Sequence, residues 1–307
     1  AQTPPFPTRF VRLVVPFPPG GGTDAIARVF AARISVVWGQ QMVIENKGGG
    51  ATSIGTEAVA KSDPDGYNVL LQSVPLAVNK FLFKTLPYDP VADLAPVSLV
   101  CDYPNIMAVP ANSPAHTVQE FIDYARANPG KVTYASSGHG TSVHLSGALF
   151  NKMTGLKLLH VPYRDVNSGT MATVGNITQM FFGVSTSAKS QIDSGALRGL
   201  AVSTAQRSVL LPNLPTMMES GYPTFNMPGW GGLFATAGTP KDVVDKINQE
   251  VQRAVLLPEY QKRLIAAGME TPPPMGAAAF RTFVEEDIRR WTEFVAAVGI
   301  DKLTTQQ

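Results

Sequence analysis

The sequence predicts an α/β protein with mostly parallel sheets, and three observations carry this prediction. Short apolar runs alternate with amphipathic segments along the whole chain. With 307 residues the chain is long enough for two domains of ordinary size or one large one. It is 44% hydrophobic and 16% charged, which is apolar enough for buried cores and too lightly charged for disorder.

The apolar runs are short, rich in Val, Leu, Ile and Phe, and bounded by turn-forming residues, which is typical of strands in a buried sheet. We predict strands at residues 11–15, 42–45, 68–72, 95–100, 106–109, 133–135, 158–161, 180–182, 199–202 and 232–235.

The longer amphipathic segments repeat apolar residues at helical spacing, as Val243, Ile247 and Val251 do. Thr117 with Glu120 three residues later predicts a capping box at a helix start. A further helix is expected after the glycine cluster at 46–55. The other helices are predicted at residues 25–37, 118–127, 144–154, 241–256, 258–267 and 277–297.

The charges argue against a nucleic-acid partner. The formal net charge is +2, and the basic residues are scattered, with no cluster beyond pairs such as Arg289-Arg290. Glu285, Glu286 and Asp287 precede that pair on one predicted helix, which suggests a solvated face with ion pairs. The longest apolar runs are far shorter than the roughly 20 residues of a membrane-spanning helix.

Residue types and spacings also argue against catalysis, metal binding and a cofactor. One cysteine, Cys101, allows neither a disulfide within the chain nor a cysteine-based metal site. The four histidines have no HExxH-like spacing, and the chain has no P-loop, dinucleotide fingerprint or GxSxG elbow. We therefore predict a protein with no catalytic residue, metal or cofactor. A hydrolase that acts in a cleft is the alternative from another class.

A glycine-rich turn joins the first predicted strand to the first helix. Bare backbone beside a helix N-terminus attracts anions, so Phe17, Gly21, Gly22 and Thr23 are predicted to shape an anion or carboxylate site. Asp24 is expected to cap the helix or hold a water, because it would repel an anion. Glycine-rich turns at such junctions are common, so this loop alone is not specific.

A second glycine-rich turn also stands between a strand and a helix. Its hydroxyl and N–H donors suit a carboxylate, although Thr141 or Ser142 merely capping the helix is an equal alternative. Two such loops predict two half-sites that face a shared cleft. For the glycine cluster at 46–55, ligand contact and a surface turn are equally open. The predicted members of the second site are Ser136, Ser137, Gly138, His139, Gly140 and Thr141.

Motifs along the whole chain resemble those of the Bug-type receptors, the periplasmic solute-binding proteins of tripartite tricarboxylate transporters. The resemblance runs in collinear order from the first glycine loop to the C-terminal helices. The motifs that carry it are RLVVPFPPGGGTD at 12–24, ENK at 45–47, IGTE at 54–57, PDGY at 64–67, LPYDP at 86–90, YASSGHGT at 134–141, HVPYR at 160–164 and AGTP at 237–240.

The resemblance implies a two-lobed Venus flytrap with a ligand cleft between α/β lobes. Lobe one is expected at residues 1–102 and 226–307, and lobe two at 103–225. The implied function is periplasmic capture of a small carboxylate by hinge closure and its delivery to the membrane subunits of the transporter. A receptor that presents its ligand to a two-component kinase is the closer alternative. A monomer is expected. The chain begins Ala-Gln-Thr-Pro-Pro, so either an export signal has been removed or the sequence is trimmed.

One departure from the family suggests a ligand class. The family often has an acidic residue where this chain has Phe182, so an amino group would lack its counter-charge and an aromatic ring could stack there instead. The sequence thus favours an aromatic carboxylate or dicarboxylate such as terephthalate, with aliphatic dicarboxylates second. The alternative is that Phe182 packs in the core of lobe two.

Four further residues complete the predicted site. Tyr163 and Arg164 are expected to form its far wall with Phe182, because a guanidinium matches a carboxylate. A purely structural pairing of Arg164 with Asp165 is equally open. Ser73 and Val74, just past a strand end, are predicted to line lobe one.

Overall fold

The computed structural model describes residues 6–298, and the strands within them form two five-stranded mixed sheets. The first sheet has the order β2-β1-β3-β10-β4. In it β1 runs parallel to β2 and β3, and β10 runs antiparallel to β3. Its strands are β1 (Val11–Val15), β2 (Met42–Asn46), β3 (Asn68–Ser73), β4 (Leu94–Tyr103) and β10 (Gly229–Thr236).

The second sheet has the order β7-β6-β8-β5-β9. Here β6 is parallel to β7 and β8, whereas β5 is antiparallel to β8 and β9. Its strands are β5 (Asn105–Pro110), β6 (Thr133–Ser136), β7 (Leu159–Pro162), β8 (Met180–Val184) and β9 (Leu197–Val202).

Helices flank both sheets, as expected where parallel strands need covered faces. Those of the first sheet are α1 (Gly22–Trp38), α2 (Ser53–Ala60), α3 (Pro75–Leu82), α8 (Lys241–Val255), α9 (Pro258–Ala266) and α10 (Ala277–Val298). Those of the second are α4 (Val118–Ala127), α5 (Ser142–Thr154), α6 (Val166–Val174) and α7 (Ser185–Asp193).

The chain divides into two compact units, one around each sheet. Unit 1 contains the chain up to Cys101, Trp230–Ala267 and the chain from Thr271 onward. Unit 2 contains Asp102–Gly229 and Gly268–Glu270. The short segment from Gly268 joins unit 2 because Glu270 and Asp102 exchange backbone hydrogen bonds of 2.8 and 3.2 Å.

The α/β fold class is confirmed, and each predicted strand and helix has a counterpart. Thr117 caps α4 as predicted, since its hydroxyl accepts from the Glu120 N–H at 3.1 Å. In the part of the chain that the structure describes, three α-helices were not predicted: α3, α6 and α7. Among residues 6–298, no helix is both long and apolar enough to span a membrane.

The predicted solvated face of α10 is wrong at one position. Asp287 is buried, and its Oδ2 accepts from the indole N–H of Trp230 at 2.9 Å and of Trp291 at 3.1 Å. Glu285 and Glu286 are exposed as expected. The carboxylate faces inward, where it accepts hydrogen bonds from one tryptophan of β10 and from another on α10 itself.

Candidate functional site

The first glycine loop leaves the N-terminus of α1 open. β1 ends at Val15, and the N-cap residue Gly21 is extended with φ −83° and ψ 174°. Within the described part of the chain, no side chain caps this helix. Gly21, Gly22 and Thr23 are half-buried, so their backbone is within reach of a ligand. The helix therefore presents backbone donors and the positive end of its dipole.

Asp24 holds this loop in shape. Its carboxylate is 2% exposed and accepts from the Gly20 N–H at 2.9 Å, from Arg28 Nε at 2.8 Å and from Asn46 Nδ2 at 3.0 Å. Burial works to raise the pKa of Asp24, but these hydrogen bonds outweigh it and hold the pKa below its ordinary value. The negative charge of Asp24 is thus used in hydrogen bonds that stabilise the loop. Asn46 also donates to the Phe17 carbonyl at 3.2 Å.

Ser73 and Val74 lie at the end of β3, where they were expected, but they offer little surface. Val74 is fully buried, so its side chain is closed to a ligand in this structure, and Ser73 is 4% exposed. The Ser73 N–H donates to Oε1 of Gln72. The Nε2 group of the same glutamine donates to the hydroxyls of Thr52 and Thr56. Packing against α3 and this buried polar cluster accounts for the difference from the prediction.

The glycine cluster at 46–55 forms a strained turn beside that polar cluster. Ala51 and Thr52 both have positive φ, at 48° and 77°, a conformation that residues other than glycine rarely adopt. Asn79 Nδ2 donates to the Ala51 carbonyl at 2.7 Å and helps to hold it. Strain of this kind persists where surrounding contacts over-determine the backbone.

The second glycine loop, between β6 and α5, uses some of its hydroxyls internally. Thr141 caps α5 by accepting from the His144 N–H, and it donates to the Gly138 carbonyl at 2.8 Å. Ser136 is 2% exposed and accepts from the Gly138 N–H at 3.1 Å. Gly140 is buried. The loop residues that solvent reaches best are therefore Ser137, Gly138 and His139.

Tyr163 and Arg164 follow β7 on an adjoining loop. The Tyr163 N–H donates to the Ser136 carbonyl at 2.9 Å and joins the two loops. The Arg164 side chain is 91% exposed and pairs with Asp165 at 3.2 Å. Asp165 itself caps α6 through Ser168, so Arg164 pairs here with a carboxylate that also holds a helix start.

The prediction that Phe182 forms a ligand-stacking wall is not supported, because the ring is fully buried. It lies in unit 2, stacked on Phe225 with 5.5 Å between centroids and edge-on to Phe150 at 5.9 Å. Neighbouring strand residues point to opposite faces, and here both Phe181 and Phe182 reach apolar layers of the core. The reason for favouring an aromatic ligand therefore falls away.

Three histidines come together in unit 2, which spacing in the sequence did not indicate. One ring nitrogen from each of His139, His144 and His160 lies within 4.8 Å of the others. His139 is in the glycine loop, His144 in the first turn of α5 and His160 in β7. Only the parallel pairing of β6 with β7 brings the third one close, through the register of Tyr134 with His160.

Comparison with known proteins gives a consistent result. Residues 26–300 match the family described as "Tripartite tricarboxylate transporter family receptor". Rpa4515 from R. palustris, solved with adipate, is 33% identical, with a TM-score of 0.92 over 97% of this chain and 100% of its own. The periplasmic binding protein BugD is 33% identical, with a TM-score of 0.89, and the match covers 97% of this chain and 100% of BugD. MatC from Rhodopseudomonas palustris, solved with malate, is 29% identical, with a TM-score of 0.85, and the match covers 94% of this chain and 100% of MatC.

The family match covers most of the chain, and the solved relatives are matched over nearly their whole length. These matches agree with the two mixed sheets and their flanking helices. The chain belongs to the receptors of the tripartite tricarboxylate transporter family and is a solute-binding protein rather than an enzyme.

Proposed function

We propose that this chain binds a small dicarboxylate in the periplasm and delivers it to the membrane subunits of a tripartite tricarboxylate transporter. The observation that carries the proposal is the open N-terminus of α1, where half-buried Gly21, Gly22 and Thr23 present backbone to a ligand without a capping side chain. Such a terminus favours anions through its N–H groups and its dipole.

Unit 2 supports the same ligand class. Ser137 and His139 offer polar groups at the second loop, while Ser136, Gly138 and Thr141 bond to one another and shape it from within. Ionised carboxylates only accept hydrogen bonds, so a donor-rich loop suits them. We propose that this second loop also binds a carboxylate, with Tyr163 and Arg164 at its margin.

An aliphatic dicarboxylate is the first choice of ligand. Adipate and malate are present in the structures of two relatives, and burial of Phe182 removes the stacking face on which the aromatic class was favoured. Terephthalate and other aromatic acids form the competing class, and amino acids the class that the proposal excludes.

A thermal-shift screen tests the ligand class. We expect adipate, succinate or malate to raise the melting temperature, because a ligand at a hundred times its Kd stabilises the protein by about 2.7 kcal/mol. A shift with terephthalate alone would replace the aliphatic class by the aromatic one. A shift with glutamate alone contradicts the proposal, and so does the absence of a shift with every carboxylate in the screen.

A charge placed at the N-cap tests the site. Gly21 has a φ that any residue adopts, and an added Cβ would meet only the Pro18 carbonyl at 3.7 Å. Gly21→Asp should therefore cap α1 with its own carboxylate and keep or raise the melting temperature. At the same time it should lower dicarboxylate affinity by about tenfold or more, because each 1.4 kcal/mol of lost binding is tenfold in Kd.

The matched control is Gly21→Ala, which adds the Cβ without the charge and should bind nearly as the wild type does. Equal affinity of Gly21→Asp and wild type would contradict a carboxylate site at α1. For delivery, uptake of labelled dicarboxylate is measured in cells that lack the gene and carry either the wild-type or the Gly21→Asp copy. Unchanged uptake without the gene would favour the sensory receptor instead.

A further inference from the structure

We propose that His139, His144 and His160 of unit 2 form a binding site for a divalent transition-metal ion. One nitrogen from each ring lies within 4.8 Å of the other two. A tetrahedral ion bonded to each nitrogen at about 2.0–2.1 Å would hold them roughly 3.4 Å apart. Closing the site requires the nitrogens to approach by up to about 1.4 Å, the difference between 4.8 Å and that spacing, and His139 is the exposed member of the three.

The hydrogen bonds of Ser136 orient His160 as a ligand. Ser136 Oγ contacts His160 Nε2 at 2.6 Å, the Gly138 nitrogen at 3.1 Å and the Gly138 carbonyl at 3.3 Å. A hydroxyl has one proton and two lone pairs, so when it donates to the carbonyl it accepts from the other two groups. In that arrangement the neutral His160 ring carries its proton on Nε2 and has a free lone pair on Nδ1.

Metal-ligating histidines usually donate their second N–H to an oxygen in this way, which fixes the tautomer and the ring orientation. Ser136 is accordingly a positioning residue for His160. The stacking of His160 on Tyr134, with 4.9 Å between ring centroids, holds the same ring from its face.

His144 supplies the buried side of the site. Its Nδ1 accepts from the Gly140 N–H at 3.2 Å, the long end of the range for such a bond. An ion at Nδ1 would replace this single contact. Gly140 has φ +77°, in the left-handed region that glycine adopts readily. His144 and His160 already lie 4.3 Å apart, ring to ring.

Three imidazole rings come together here, and a neutral imidazole nitrogen is the commonest metal ligand in proteins. Imidazole ligands suit Zn²⁺, Co²⁺, Ni²⁺ and Cu²⁺, whereas Mg²⁺ and Ca²⁺ prefer oxygen. Three protein ligands leave a fourth coordination position open to water or another small ligand.

Titration with Co²⁺ alone tests the proposal, on protein without a polyhistidine tag, stripped of metal and free of carboxylate buffers. We expect saturation at one ion per chain, with visible absorption bands of four-coordinate Co²⁺ that Zn²⁺ abolishes by competition. Because no carboxylate is present, the result is independent of the proposed dicarboxylate function. The absence of stoichiometric binding at neutral pH would overturn the proposal.

Two variants and a control locate the ion. His139→Ala removes an exposed side chain and should not affect folding, and His160→Ala is checked for native circular dichroism. Each should weaken Co²⁺ binding by about tenfold or more. His116→Ala is the matched control, because His116 is the fourth histidine of the chain and is exposed in a different segment. Undiminished binding in His139→Ala, or an equal loss in His116→Ala, overturns the assignment.

Discussion

At the scale of single residues, Asp102 has a carboxyl group whose charged form the fold disfavours. Burial raises the pKa of its carboxyl group to about 7, and the negative charge of Glu270 adds to the effect. The two residues are held together by their paired backbone hydrogen bonds, and the Glu270 carboxylate also accepts from the Ser208 hydroxyl. Asp102 therefore keeps its proton in the folded state over a pH range in which the unfolded chain has lost it.

The sign of the resulting pH dependence follows from this difference. A raised carboxyl pKa stabilises the fold below the ordinary value of 3.8, and that contribution is lost as the pH rises through about 7. We expect the Asp102→Asn variant to lose less stability than the wild type over this window. One group changes the slope by at most about 1.4 kcal/mol per pH unit. Urea unfolding at several pH values measures it, and parallel curves for the two proteins would contradict the prediction.

Phe182 acts in the core rather than at a ligand. Because it is fully buried between Phe150 and Phe225, Phe182→Ala should lower the free energy of unfolding by about 3–5 kcal/mol. The milder Phe182→Leu should leave the order of ligand affinities unchanged. Ile177→Ala is the control, since Ile177 is 70% exposed and its loss should matter by less than about 0.5 kcal/mol. A changed ligand order in Phe182→Leu would restore the stacking hypothesis.

At the scale of elements, α10 is anchored by one buried carboxylate. Asp287 accepts from two indole N–H groups, and its other oxygen pairs with Arg290. Asp287→Ala would leave the Trp230 and Trp291 N–H groups without this acceptor, and each buried loss of that kind costs about 1–3 kcal/mol. We expect a total loss near 3 kcal/mol in chemical unfolding. Glu286→Ala, on the exposed face, should be nearly neutral.

The local pattern of apolar residues predicted those helices that bury an apolar stripe and those strands that bury a continuous apolar run. α8 and β1 have such patterns, whereas α6 and α7 are short and rich in Ser, Thr and Gly, which are weak helix formers. Packing against the sheet of unit 2 stabilises both helices, and the cap residue Asp165 is a local signal for α6 that the sequence analysis missed. The inward turn of Asp287 was hidden, because its partner Trp230 is 57 residues away.

The candidate site was predictable only in part, for the same reason. Glycines and a helix start marked both loops, since those features are local. Whether Ser136 and Thr141 face a ligand or their own loop depends on Gly138, and the burial of Phe182 depends on Phe225 from a distant segment. The histidine cluster likewise requires the pairing of β6 with β7.

At the scale of the whole molecule, the monomeric state and closure about a hinge stay predictions that the resemblance implies. We expect light scattering after size-exclusion chromatography to give the mass of one chain, with and without dicarboxylate. A mass that doubles at micromolar concentration would contradict the expectation. The predicted lobe boundaries stand at 102/103 and 225/226, and the compact units change at 101/102 and 229/230, with 268–270 returning to unit 2.

The interleaved course of the chain also sets an order of assembly. All five strands of the second sheet lie between Asn105 and Val202, whereas the first sheet has β10 between β3 and β4. As the chain emerges from its N-terminus, unit 2 has every strand it needs while the first sheet still lacks an inner one. A nascent chain that stops before Gly229 therefore exposes unpaired edges of β3 and β4, a surface open to association with other chains until about the last quarter of the protein arrives.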